Sequence, residues 1–164
     1  DLHSFPTRRS SDLHIEPLAD AGNYAFNDAH AMMAFIGARR GKAVEALLEA
    51  QHAVMENVTD NATFTRDVGH PVARAIRAFG ESDFAETVRL LRRVRRNAYR
   101  FGGSHAQRDL LDLTLIEAAL RSGEGALASA LIAERRAMRP TLFTAVLTER
   151  LASGEKARTL AVAA

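Results

Sequence analysis

The chain has 164 residues, 47% of them hydrophobic and 26% charged, with four prolines, no tryptophan, no cysteine and a formal net charge of +2. This is the composition of a globular domain, far from the low hydrophobicity and high charge of disordered chains. Without cysteine, disulfides, thiolate zinc sites and a cysteine nucleophile are excluded, and the near-neutral charge creates no demand for a nucleic-acid or membrane partner. No apolar run approaches the roughly 20 residues needed to cross a bilayer. A cytoplasmic location is the expectation. Alanine and leucine dominate the apolar share, which favours helix over strand.

Residues 1–13 read DLHSFPTRRSSDL and have no helical or strand periodicity. They back-translate to one uninterrupted reading frame of a common short-read sequencing adapter, with all thirteen positions matching. The segment is therefore read as non-native and disordered, and is set aside from fold reasoning. The domain proper is expected to span residues 14–164, as the C-terminal part of a longer protein.

From His14 onward the chain is a succession of amphipathic segments separated by short polar or glycine breaks. The first helix is expected from about Tyr24 to Arg39. Met32, Met33, Phe35 and Ile36 nearly encircle it, which implies burial on two sides, one of them against helices upstream. A second helix follows Gly41 and carries Val44, Leu47, Leu48 and Val54 to about Asn57. Thr59 to Thr65 reads as a polar connection, and a third helix begins near Pro71 and ends at Phe79-Gly80. Asp83 and Glu86 have capping-box spacing at the start of a fourth helix, which runs through Val88, Leu91 and Val94 to Phe101.

Gly102-Gly103 stop that helix, and Ser104 with Gln107 forms a capping box for a fifth, ending at Ser122-Gly123. A sixth spans about Ala126 to Met138. Pro140 starts a seventh that ends near Ser153-Gly154, and Lys156 to Val162 adds a short eighth. The breaks at Arg40-Gly41-Lys42, Glu81-Ser82-Asp83 and Ser122-Gly123-Glu124 lie about 41 residues apart, each between two helices, as in a solenoid of helix pairs. The expected fold is all-α: antiparallel helix pairs, about seven helices in all, stacked as a tetratricopeptide-like α-solenoid. Leu115, Ala119, Ala128, Ile132 and Pro140 stand at the offsets of that repeat, whereas Thr87 and Arg135 occupy small-residue positions.

Three strings are more specific: YAFNDAHAMMAFIGAR from Tyr24, DVGHPVARAIRAFG from Asp67, and FGGSHAQRD from Phe101. Over residues 21 to 145 the chain resembles the C-terminal region of the tetratricopeptide repeat protein 38 family, with GGSHAQRD the most distinctive element. The resemblance implies a helical-repeat fold and assigns no catalytic residues.

Candidate binding residues are His30, Asp28, His105, Gln107, Arg108 and Asp109. The last four sit in the GGSHAQRD turn. There Ser104 and Gln107 satisfy orphan amides, while Arg108 opposes the helix dipole and calls for an ion pair or a ligand anion. Asp28 and His30 are two apart and face different sides of one helix. His30, His52, His70 and His105 show no i, i+4 pairing, so no metal site and no cofactor are expected. Arg89, Arg92, Arg93, Arg96 and Arg100 follow three- and four-residue spacing as one basic stripe, either the solvated face of an amphipathic helix or a dock for an acidic peptide or RNA backbone. The leading expectation is a non-catalytic scaffold for a protein or peptide partner. The alternatives are an enzyme or small-molecule site completed by upstream helices, and RNA binding through the stripe.

Overall fold

The structure is a computed structural model that describes residues 21–101, 105–138 and 140–162, and the side chains of these except 98, 100, 101, 105–108 and 155–162. The adapter-like residues 1–13 and the Gly102-Gly103-Ser104 turn lie outside the described residues. The regular structure of the described residues is all helical: α1 (Ala25–Gly37), α2 (Gly41–Met55), α3 (Asp60–Phe64), a π turn (Thr65–Gly69), α4 (His70–Gly80), α5 (Phe84–Val94), a 3-10 turn (Arg95–Phe101), α6 (His105–Ser122), α7 (Gly125–Met138) and α8 (Leu142–Val162). They fall into two compact units that divide between Leu111 and Asp112.

In the first unit, Ala25, Ala29, Met32 and Phe35 repeat every three or four residues and bury one face of α1. Met32 and Phe35 join Val44, Leu47 and Leu48 of α2 and Ala73 of α4 in the core. Met33 and Ile36, at the margin of this face, are half-buried, and His30 is exposed. Gly80 marks the close approach of α4 to α1. A Cβ there would stand 2.5 Å from Ile36 Cγ2.

The third expected helix is α4, with Pro71 in its first turn, but the connection before it is itself helical. Thr59 caps α3 by accepting from the Ala62 amide at 3.0 Å, and helical backbone then runs unbroken to Gly80. Pro71 therefore sits inside a long helical rod. In a straight α-helix its ring would meet the carbonyl of Asp67. The π turn immediately before it, closed by the His70 amide on the Thr65 carbonyl, absorbs the mismatch. The supposed polar connection is the first turn of this rod.

Asp83 caps α5 as its spacing implied, accepting from the Glu86 amide at 3.0 Å. Thr87, fully buried where a small residue was expected, satisfies its hydroxyl by donating to the Asp83 carbonyl at 2.8 Å. Val88, Leu90, Leu91 and Val94 are buried, and the helix tightens into a 3-10 turn at Arg95. α1 packs on α2 and α4, α2 on α4, and α4 on α5.

In the second unit, Leu115, Ile116, Ala118 and Ala119 of α6, Ala128, Leu131 and Ile132 of α7 and Leu147 of α8 are buried. α7 packs on α8. Glu117 of α6 accepts two hydrogen bonds from Arg150 of α8, at 2.7 and 3.0 Å, and another from Arg121 at 2.6 Å. These contacts hold its carboxyl below the usual carboxylate range, Arg150 contributing most. Thr141, one residue after Pro140, caps α8 with its hydroxyl on the Thr144 amide. The helix then continues through Ser153-Gly154 to Val162, so the expected break and separate eighth segment are one helix. An internal glycine costs only about 1 kcal/mol, too little to force a stop.

The three recurring breaks share one backbone solution. Arg39, Ser82 and Gly123 are left-handed, with φ of 57°, 65° and 81°. In each case the next amide reaches back five residues: Arg40 to Phe35 at 2.8 Å, Asp83 to Ala78 at 2.8 Å, and Glu124 to Ala119 at 2.9 Å. This is the helix-ending turn that glycine normally supplies.

Candidate functional site

The polar residues that converge belong to α1, α2 and the rod that includes α4. Asp28 is only 3% exposed. Its carboxylate accepts from the Gly22 amide at 3.0 and 3.1 Å and from Gln51 Nε2 at 2.7 Å. The Gly22 carbonyl in turn accepts from Asn61 Nδ2 at 2.8 Å and Thr65 Oγ1 at 3.2 Å. Gly22 adopts φ +83°, and a Cβ there would strike Val54, so both backbone and space require glycine. Burial raises the Asp28 pKa, and the bonds from Gln51 and Gly22 only partly offset that cost.

Gln51 carries the network outward. Its amide nitrogen faces Asp28, so its oxygen faces His70 Nδ1, at 3.1 Å. That oxygen can only accept, which places the proton of His70 on Nδ1 and leaves a lone pair on Nε2. The ring of His70 meets His52 of α2 edge-on, centroids 4.5 Å apart. Burial, followed by the charges of His52 and Arg74, lowers the His70 pKa to about 4, so the ring is neutral at pH 7.

Both histidines line an open cleft of about 420 Å³ between α2, α4 and the start of α5. Five carboxylates line it, Glu45, Glu49, Glu81, Asp83 and Glu86, against the guanidiniums of Arg74 and Arg77. Arg77 holds Glu45 at 2.7 Å and Glu81 at 2.9 Å. Arg74 holds Glu86 at 3.1 Å, and Arg89 contacts the same carboxylate, chiefly lowering its pKa. Asp83 is committed to its cap. Exposed Glu49 has no hydrogen-bond or ion-pair partner among the described residues.

The candidates named from sequence separate. Asp28 is central, as a buried structural acceptor. His30 is exposed and its Nδ1 lies 2.8 Å from the Phe26 carbonyl, on the opposite side of α1 from Asp28. Asp109 is half-buried, while the side chains of His105, Gln107 and Arg108 lie outside the described residues. Arg89, Arg92, Arg93 and Arg96 form an exposed stripe opposite Val88, Leu91 and Val94; the side chain of Arg100 also lies outside the described residues. Among the described residues no group of three or more His, Asp or Glu side chains could hold a metal ion. None of their helices is long and apolar enough to cross a membrane.

Sequence reasoning missed Gly22, Gln51 and the His52–His70 pair. Spacing along one helix cannot reveal two histidines that meet across two. A second concavity, in the other unit, is mostly apolar and lined by Pro140, Leu142, Ala145 and Ala152 with threonines between. No protein-family model and no solved structure matches the chain.

Proposed function

We propose that the chain is a non-catalytic helical-repeat scaffold of the tetratricopeptide type, related to the tetratricopeptide repeat protein 38 family, whose α2–α4 cleft receives a basic segment of a partner protein. The repeat reading is supported by the shared left-handed turns at Arg39, Ser82 and Gly123, spaced 43 and 41 residues apart. It is also supported by packing in the first unit, where α1 touches both its own partner and the first helix of the next pair. The observation that carries the partner reading is the cleft itself: concave, open, and richer in carboxylates than in guanidiniums, with Glu49 uncommitted. Low-dielectric walls strengthen the field of such a lining. A lysine or arginine side chain entering it meets Glu49 without breaking an existing pair.

A fluorescent tetra-arginine peptide tests this reading. It should bind at pH 7.5 with an affinity that falls as salt rises, and Glu49→Lys should weaken it about tenfold or more. A tetra-glutamate peptide should not bind. Equal affinity for both peptides, or indifference to Glu49→Lys, would remove the reading.

The arginine stripe supports a second reading, an RNA backbone laid along α5. Arg92, Arg93 and Arg96 are exposed without a partner among the described residues, and Tyr99 beside them is 73% exposed. RNA affinity that ignores salt, or that survives alanine at these three arginines, excludes it.

A further inference from the structure

We propose that the basic segment received by the α2–α4 cleft belongs to a second copy of this chain, so that two copies pair about a two-fold axis, the α5 arginines of each entering the cleft of the other. This rests on the cleft being a cation-binding site, as argued above.

Both halves of the pairing carry charge that the single chain leaves unmatched. In the cleft, Glu45 and Glu81 are taken by Arg77, and Glu86 by Arg74 and Arg89. Asp83 caps α5. Exposed Glu49 is the lining carboxylate without a hydrogen-bond or ion-pair partner among the described residues. On α5, Arg89 is committed to Glu86, whereas Arg92, Arg93 and Arg96 are exposed and unpaired among the described residues. One exposed, unpaired arginine is ordinary. Three on one helical face, on a chain that also carries an acidic cleft, make two complementary surfaces.

Their placement decides the symmetry. Glu86 belongs to both surfaces, because it lines the cleft and also holds Arg89, the first residue of the stripe. Arg93 follows seven residues later, two turns on along the same side of α5 and about 10 Å from Glu86 along the axis. Cleft and stripe are therefore neighbours within the first unit, joined at Glu86. A surface with a negative half beside a positive half is its own complement under a two-fold rotation. Each half meets the opposite half of the second copy, and the contact closes at two chains. Head-to-tail stacking needs the two halves on opposite sides, which this adjacency does not provide.

The same adjacency favours a second copy over an RNA strand. A polyanion laid on the stripe runs close to the carboxylates of the cleft, whereas a second copy uses both surfaces at once. An entering guanidinium meets Glu49 beside Leu48 and Ala78, which also line the cleft. Tyr99, three residues beyond Arg96 and 73% exposed, adds apolar area at the far end of the stripe. The contact is otherwise polar, so the dimer is weak, with a dissociation constant on the order of 10–100 μM, and sensitive to salt.

Sedimentation equilibrium of the full chain at pH 7.5 tests the pairing. In about 50 mM salt the mass should rise with concentration from that of one chain and level at that of two, and about 500 mM salt should return it to one. Glu49→Lys, and separately the double variant Arg92→Glu, Arg93→Glu, should each weaken dimerisation about tenfold or more while keeping the helical circular dichroism signal. An equimolar mixture of the two variants should recover the dimer, because the lysine of one cleft then faces the glutamates of the other stripe while the second contact keeps its native charges. Tetra-arginine should dissociate the wild-type dimer. A dimer that ignores salt or survives either variant, a mass that climbs past two chains, or a mixture that stays monomeric overturns the pairing. A wild-type chain that stays monomeric also overturns it: tetra-arginine binding then leaves the cleft reading standing, and its absence overturns both. Binding of an oligouridylate to that monomer through Arg92 and Arg93 assigns the stripe to RNA instead.

Discussion

Arg39 and Ser82 hold a backbone conformation that costs a residue with a Cβ roughly 1–2 kcal/mol, while Gly123 meets the same demand without that cost. Arg39→Gly and Ser82→Gly should each raise stability by about 0.5–1 kcal/mol in chemical denaturation, net of the entropy glycine loses on folding. A loss of stability in both would mean that these turns are not left-handed. Asp28 makes a contrasting prediction. Asp28→Ala leaves the Gly22 amide and Gln51 Nε2 buried without an acceptor and should cost about 2–3 kcal/mol. Asp28→Asn keeps an acceptor oxygen and removes a buried charge, so its cost should be well below that of alanine. Equal costs for the two variants would contradict the network.

His70 links the same network to pH. Its folded pKa, near 4, lies below the ordinary histidine value of about 6.5. Its contribution is therefore fully present above about pH 6.5 and is lost as the pH falls toward 4, because the unfolded chain takes up the proton first. Allowing for solvent screening at a half-buried ring, the loss should be about 2 kcal/mol. His70→Gln should flatten that part of the stability–pH curve. A wild-type curve already flat from pH 6.5 to 4 would refute the assignment.

At the scale of elements, the approach of α1 and α4 depends on a missing side chain. Gly80→Ala places a methyl group 2.5 Å from Ile36 Cγ2 and should destabilise by about 1–3 kcal/mol, although alanine is the better helix former. Ile36→Ala in the same chain should recover part of the loss, giving a coupling energy in a double-mutant cycle. Simple additivity would place the two residues apart. In the second unit, Glu117 joins α6 to α8 through Arg150, and its lowered pKa makes the sign definite. The pair stabilises above the ordinary glutamate pKa, and that stability is lost as the pH falls through the depressed value. Glu117→Gln should cost about 1 kcal/mol at pH 7 and nothing once the carboxyl is protonated.

Most helix boundaries were legible because their signals are local. Asp83 three residues before Glu86, and Gly123 after a run of alternating apolar residues, act through the adjacent backbone. The polar run from Thr59 to Thr65 and the glycine at Gly154 misled for the opposite reason. Pro71 does stand in the first turn of α4, but the π turn before it joins α4 to α3, and Gly154 is simply tolerated inside α8. The cleft was the least legible feature. His52 and His70 belong to different helices, and nothing in either helix announces the other. Asp28 was singled out as a candidate ligand group, yet its actual role comes from the Gly22 turn and from Gln51, which only packing brings to it.

Over the whole molecule, the two units are each all-helical, and the same left-handed turn recurs in both. Each instance ends one helix and leads into the next. The first unit adds a cleft whose floor is tied to a buried carboxylate through Gln51. The proposal that a basic partner segment sits in this cleft is tested most directly by an amide and imidazole NMR perturbation map recorded as tetra-arginine is added at pH 7.5. Under that proposal the shifts concentrate on Glu49, His52, His70 and Arg74, saturate together and are absent in Glu49→Lys. Shifts spread over the surface without saturation, or confined to the second unit, would contradict it.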